Sequence, residues 1–198
     1  ASGANAAYIY DLPADLSAPA RISEGFQSGN AARWTPQAGS QFSVVAGPNG
    51  SLVYRQSSLA GDAMSVRTNS DWTNQSIEAD VRPTAFDGND RWFGLAVRYT
   101  DASNFYYLTA RSSNVVQLRR KLNGAFVTLD SASLPVALNQ TYRLRLEAIG
   151  SWIRGYVNGA LVLEAQDKSL THGQAALAMY KTRADYDNVL ITPTPRLT

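Results

Sequence analysis

The sequence predicts an all-β chain folded as a two-sheet antiparallel β-sandwich. Three observations predict it. Apolar and polar residues alternate with period two over most of the chain. Turn signals interrupt that alternation about every ten residues, the spacing of a sandwich or barrel. No stretch carries the 3.6-residue periodicity of an amphipathic helix, and no internal repeat of propeller type is present.

The elements follow in order. Residues 76–82 place Ile77, Ala79 and Val81 on one face and Glu78, Asp80 and Arg82 on the other, and Pro83 is expected to end that strand. After the turn Asp87-Gly88-Asn89-Asp90, residues 91–99 set Phe93, Leu95 and Val97 against Trp92, Gly94, Ala96 and Arg98. Residues 105–111 oppose Tyr106, Leu108 and Ala110 to Phe105, Tyr107, Thr109 and Arg111. Residues 115–121 separate Val116 and Leu118 from Val115, Gln117, Arg119 and Lys121. Asn123-Gly124 joins this strand to 126–129 as a tight hairpin, because both residues tolerate positive φ. Residues 141–148 turn Tyr142, Leu144 and Leu146 inward; 151–157 and 160–164 form a second hairpin around Asn158-Gly159; 174–180 and 186–191 close the body. Residues 1–20 read as an N-terminal arm, with Tyr8-Ile9-Tyr10 able to pack locally, 21–192 as the domain and 193–198 as a linker-like tail.

Composition narrows the function. The 198 residues suffice for one large β domain. With no cysteine there is no disulfide framework, thiolate metal site or thiol nucleophile. A net charge of +2 is too small for a nucleic-acid footprint. No apolar run is long enough for a membrane span, and the N-terminus has no signal pattern, so any targeting peptide is expected to be gone already. The 18 basic residues divide into 15 Arg and 3 Lys. That excess reflects either codon usage or a surface that recognises acidic groups through planar forks.

Several segments resemble a bacterial family of concanavalin A-like (laminin-G-like) jelly-roll domains. They are Glu24-Gly25-Phe26, Trp34-Thr35, Tyr54-Arg55-Gln56, Gly94-Leu95-Ala96-Val97-Arg98-Tyr99, Asn104-Phe105-Tyr106-Tyr107-Leu108, Val116-Gln117-Leu118-Arg119-Arg120, Tyr156-Val157-Asn158-Gly159 and Tyr186-Asp187-Asn188-Val189. The resemblance covers about residues 22–192. It implies a jelly-roll sandwich of the kind attached to secreted pectate lyases and other glycan-degrading enzymes. It also implies a polysaccharide partner on a concave sheet and a place within a larger secreted protein, and the module is expected to act as a monomer. Fold alone does not assign the activity.

If the strands of the 91–121 meander pair in order, Trp92, Arg98, Tyr107, Arg111, Gln117, Arg119 and Lys121 share one surface. Aromatic platforms beside guanidinium forks are what a sugar requires: a flat face for C–H groups and donors for hydroxyls or a uronate carboxylate. The expected ligand is a polysaccharide, with acidic, pectin-like chains fitting the Arg content. The competing reading is a solvated face whose Arg residues pair with neighbouring acids. Arg143, Arg145, Arg154 and Tyr156 form a second basic cluster, expected to be solvated with Glu147 and Glu164 as partners. The family resemblance also implies a structural calcium ion held by Glu24 and Asp187, although Asn188 stands where a second acid is usual.

Catalysis has little support. No strand reads Glu-x-Asp-x-x-Glu, the paired-acid pattern of the glucanases with this fold. The one histidine, His172, falls in a turn. A small polysaccharide lyase is the alternative: Arg98 or Arg111 would neutralise a uronate, and Tyr107, Tyr180 or Lys181 would act as base. The Arg-x-Glu-x-Arg strand and Gln-x-His pair of such lyases are missing.

Overall fold

Alternating sequences with apolar residues on one face can be buried only by stacking sheet on sheet, and the chain does this. The computed structural model describes residues 21–194. The expectations for the 1–20 arm, Tyr8-Ile9-Tyr10 and 195–198 lie outside the described residues. One sheet contains β1 (Ile22–Glu24), β3 (Phe42–Ala46), β4 (Leu52–Gln56), β6 (Gln75–Phe86), β11 (Tyr142–Ile149), β12 (Trp152–Val157), β13 (Ala160–Gln166) and β15 (Thr182–Pro193). Its order is β13-β12-β11-β6-β15-β4-β3, with β1 also pairing β15. The other contains β2 (Trp34–Pro36), β5 (Asp62–Arg67), β7 (Trp92–Asp101), β8 (Asn104–Arg111), β9 (Val115–Leu122), β10 (Ala125–Ser133) and β14 (Gln174–Tyr180). Its order is β10-β9-β8-β7-β14-β5-β2. All named pairings are antiparallel.

The predicted inward residues form the core. Ile77, Val81, Phe93, Leu95, Tyr106, Leu108, Leu144 and Leu146 are fully buried between the sheets. Tyr186 crosses the sandwich, and its hydroxyl donates to the Gly94 and Ala178 carbonyls. Both hairpins use the predicted turn residues: φ is +50° and +82° at Asn123 and Gly124, and +50° and +86° at Asn158 and Gly159. These are the left-handed angles that a two-residue hairpin loop demands.

Two boundaries differ from the sequence reading. Pro83 does not end its strand; β6 continues to Phe86. Proline is tolerated because β15 shifts register at Arg183/Ala184, opposite Pro83, so a ladder donor is not required there. The final strand runs to Pro193, which pairs with Gln75, so the tail expected from 193 begins at the strand's last residue.

Candidate functional site

The outer face of the seven-stranded sheet carries the expected aromatic and basic residues. Trp92 of β7 lies opposite Arg111 of β8, and Tyr107 lies opposite Arg119 of β9. The Trp92 and Tyr107 rings are 5.5 Å apart, and Phe105 meets Tyr107 edge-on at 5.2 Å. Phe126 of β10 closes the row, 6.4 Å from Tyr107 and more than half exposed. The Arg119 guanidinium lies over Tyr107 and Phe126, and Lys121 over Phe105 and Phe126. Cations laid on rings in this way are held without a carboxylate partner.

These side chains surround a depression of about 140 Å³. Its walls come from Trp92, Tyr99, Phe105, Tyr107, Phe126 and Met64, with Gln37, Asp62 and Lys121 supplying polar atoms. Ala96, Ala176 and Ala178 pack in one buried cluster with Tyr99, Phe105 and Tyr107. Small residues in the middle of two neighbouring strands, β7 and β14, leave room that larger side chains would fill. Burial raises the Tyr107 phenol to about 12 against the opposing charges of Arg119 and Arg111. The phenol is therefore protonated at neutral pH.

Arg98 is not on this surface. Val97 and Arg98 together face the single residue Ala175, because the β7–β14 register gains one residue between Ala96 and Tyr99. Arg98 takes φ +50° at this bulge and turns inward, while Tyr99 turns outward into the depression. One extra residue reverses every later side chain of the strand. The Arg98 guanidinium donates to the carbonyls of Thr73, Leu170 and Gly150 at 2.8–3.0 Å. It is a structural tie between loops.

Arg111 is on the predicted face but is engaged. Asp90 accepts from its Nε at 2.7 Å and its Nη2 at 2.9 Å. The expectation of a face without acids fails here, because Asp90 reaches in from the turn before β7. Arg111 hydrogen bonding, chiefly, holds the Asp90 carboxyl below the ordinary aspartate range. Because the folded value lies below the unfolded one, the pair stabilises the fold above the ordinary range and is lost as the pH falls through the folded value. The melting temperature is expected to fall on acidification below pH about 4 more steeply in the native chain than in Asp90→Asn. Equal slopes would mean that the pair contributes nothing. Gln117 is half-buried on the same face, opposite Thr109.

The second cluster is on the outer face of the other sheet, on the opposite side of the sandwich. Arg143 pairs with Glu78 at 2.8 Å and Asp80 at 3.3 Å, Arg154 with Glu164 at 2.5 Å, and Arg145 with Glu147. It is the charge-paired surface expected. His172 is exposed and contacts Asp71.

Glu24 and Asp187, the two residues expected to hold calcium, have other neighbours. Glu24 is ion-paired with Arg67 at 3.1 Å. Asp187 lines a different cleft beside Asp80 and Asp185, and burial raises its carboxyl above the ordinary range. Among the described residues, no cluster of three His, Cys, Asp or Glu could enclose an ion.

Sequence reasoning missed Phe126, Tyr99, Asp62, Gln37 and Met64. Phe126 was within reach: the Asn123-Gly124 hairpin forces it opposite Lys121. Asp62 and Met64 arrive on β5, across β14, from a segment in which the alternation gave no strand order.

No family model matches the chain. It is 28% identical over 165 residues to a levanase of Bacillus subtilis (strain 168), covering 81% of this chain and 23% of that protein. Among solved structures it is similar to the carbohydrate-binding module CBM66 of Bacillus subtilis, with 24% identity, a TM-score of 0.66, and coverage of 81% of this chain and 95% of that one. A β-glucanase of Bacillus licheniformis superposes with a TM-score of 0.62 at 14% identity, over 88% of this chain and 98% of that one. The fold is thus the two-sheet jelly-roll sandwich shared by carbohydrate-binding modules and glucanases.

Proposed function

We propose that this chain is a carbohydrate-binding module that takes a glycan on the outer face of its seven-stranded sheet, as part of a larger secreted protein. The observation that carries the reading is the aromatic depression: Trp92 and Phe126 offer flat faces around the buried Tyr107 ring, and Gln37, Asp62 and Lys121 offer hydrogen bonds. Sugars combine just such surfaces, with C–H faces on one side and hydroxyls at the rim. The levanase relative and the CBM66 likeness support a carbohydrate ligand. The chain spans about a quarter of the levanase's length, which supports its being one module of a longer enzyme.

An uncharged glycan fits best. Of the four cations expected on the face, Arg98 is turned inward and Arg111 is neutralised by Asp90. The second reading, an acidic polymer, is favoured by Arg119 and Lys121, which have no salt-bridge partner among the described residues. Affinity electrophoresis against levan, β-glucan, xylan, galactan and pectate separates the two. Retardation by a neutral polymer that persists in salt is expected; retardation by pectate alone, abolished by salt, would establish the acidic reading. No retardation by any polymer would overturn both.

Trp92→Ala is expected to weaken glycan binding by about 1–3 kcal/mol, the usual cost of removing a central aromatic anchor. Titration of the variant at a temperature where it is folded gives this number. An unchanged affinity would place the ligand elsewhere. The chain is expected to release no unsaturated products from pectate, read by ultraviolet absorbance. Tyr107 holds its proton too strongly to be the base of an elimination, and Lys181 is paired with Asp87.

A further inference from the structure

A second cleft lies at the end of the sandwich where β1 of one sheet meets the last residue of β5 in the other. Its volume is about 510 Å³, and it is lined by Arg21, Glu24, Arg33, Arg67, Asn69 and Trp72. The strand alternation places Arg67 there. Asp62 and Met64 point outward into the depression already described, whereas Ala63, Ser65 and Arg67 point between the sheets. The first two of these inward residues are core; the third reaches the open end.

Arg67 is buried, with its side chain only 4% exposed. Its Nη1 donates to the Thr68 carbonyl at 2.7 Å and its Nη2 to Glu24 at 3.1 Å, while its Nε has no partner. Burial is the largest influence lowering its pKa; Glu24 opposes this, and the Arg33 charge adds to it. Arg33 is therefore close enough to repel Arg67. The cleft holds three guanidiniums against one carboxylate, an excess of two positive charges by direct count of its lining. Neither Arg21 nor Arg33 has a salt-bridge partner among the described residues, in contrast to the paired arginines of the eight-stranded sheet's outer face. A site with surplus forked donors, one of them buried, attracts oxyanions, because bidentate contacts relieve the mutual repulsion of the cations.

We propose that this cleft is an oxyanion site for a small ligand bearing a carboxylate or a phosphate, separate from the glycan face. Glu24 is the internal competitor: its carboxylate takes Nη2 of Arg67, a donor that the ligand's oxyanion would otherwise share. Asn69 and Trp72 form the neutral part of the wall, against which the rest of the ligand rests.

The test is titration of the native chain with sodium glucuronate, inorganic phosphate and, as the uncharged control, glucose, all at one ionic strength. The readouts are calorimetry and the NMR signals of the Trp72 indole and the arginine Nε–H groups. Saturable one-to-one binding of an anion is expected, weakened about tenfold by Arg33→Ala through loss of a charge-assisted contact and strengthened by Glu24→Gln. Glucuronate alone would identify a sugar-acid carboxylate as the source, phosphate alone a phosphoryl group; binding of both would leave the oxyanion itself as the recognised feature. Arg33 is exposed, so its removal spares the fold, and a melting curve verifies this. Trp92→Ala should leave the titration unchanged, which distinguishes failure here from failure of the glycan reading. Absence of saturation by either anion would overturn the proposal, as would glucose binding as tightly as glucuronate or an affinity indifferent to Arg33→Ala.

Discussion

Gly94→Ala is expected to destabilise the chain by at least about 3 kcal/mol, and the variant is expected to express poorly or to melt well below the native protein. Gly94 sits in the middle of β7, where the sheet is buried on both faces. A Cβ built there would lie 1.8 Å from the Leu108 carbonyl oxygen and 2.9 Å from its carbon. The clash is with the backbone of β8, so no rotamer relieves it, and the two strands must part. The Gly94 carbonyl also accepts from Tyr186, the residue that crosses the sandwich. For a domain of this size the loss corresponds to a fall of about 6–12 °C in melting temperature. Gly155→Ala is a useful comparison. There the nearest atom is the Leu108 side-chain methyl at 2.8 Å, which can move, so the loss should be clearly smaller. A Gly94→Ala protein that melts with the native one would show that β7 and β8 do not approach as described.

The second large effect is at Arg98. Arg98→Ala is expected to cost about 3 kcal/mol, because it strips three loop carbonyls, one of them buried, of their donor and leaves a void where a fully buried side chain stood. The carbonyls belong to Thr73, Gly150 and Leu170, so three loops lose a common tie. Gly173 confirms how closely they pack on it: a Cβ there would come within 2.5 Å of the Arg98 carbonyl carbon. Denaturant unfolding measures the loss, and glycan titration below the transition supplies the second readout. Affinity should be retained, since the guanidinium faces the interior. Loss of affinity with unchanged stability would return Arg98 to the ligand face. Arg98→Lys should recover only part of the stability, because one ammonium cannot reach three carbonyls placed around a planar fork.

Both residues show where the sequence was legible and where it was not. The alternation at Ile77-Ala79-Val81 and Tyr106-Leu108-Ala110 is strict, each residue's face is fixed by period two, and all six are fully buried. The Asn-Gly hairpins were equally legible, because positive φ at both turn positions is a local steric requirement. Trp92, Tyr107, Arg119 and Lys121 fell on one surface for the same reason: their strands are consecutive and pair in order. Arg98 looked like the next outward residue of β7, and nothing between Val97 and Tyr99 announces a bulge. Its extra residue is set by what β14 presents opposite, a contact about 80 residues away in the chain.

Fold class, the apolar inward residues of the strands read between 76 and 148, the tight hairpins and the aromatic row of the β7–β9 meander are all legible in the sequence alone. These are properties of short stretches, governed by sterics and period. Which cations remain available is set by tertiary contacts. Asp90 closes on Arg111 from a turn, Arg98 is drawn into the interior by three loop carbonyls, Glu24 is claimed by Arg67, and β5 carries Asp62 and Met64 to the aromatic row. Each depends on pairing between segments distant in sequence, and an arginine's role follows from the acceptors around it rather than from its own position in a strand.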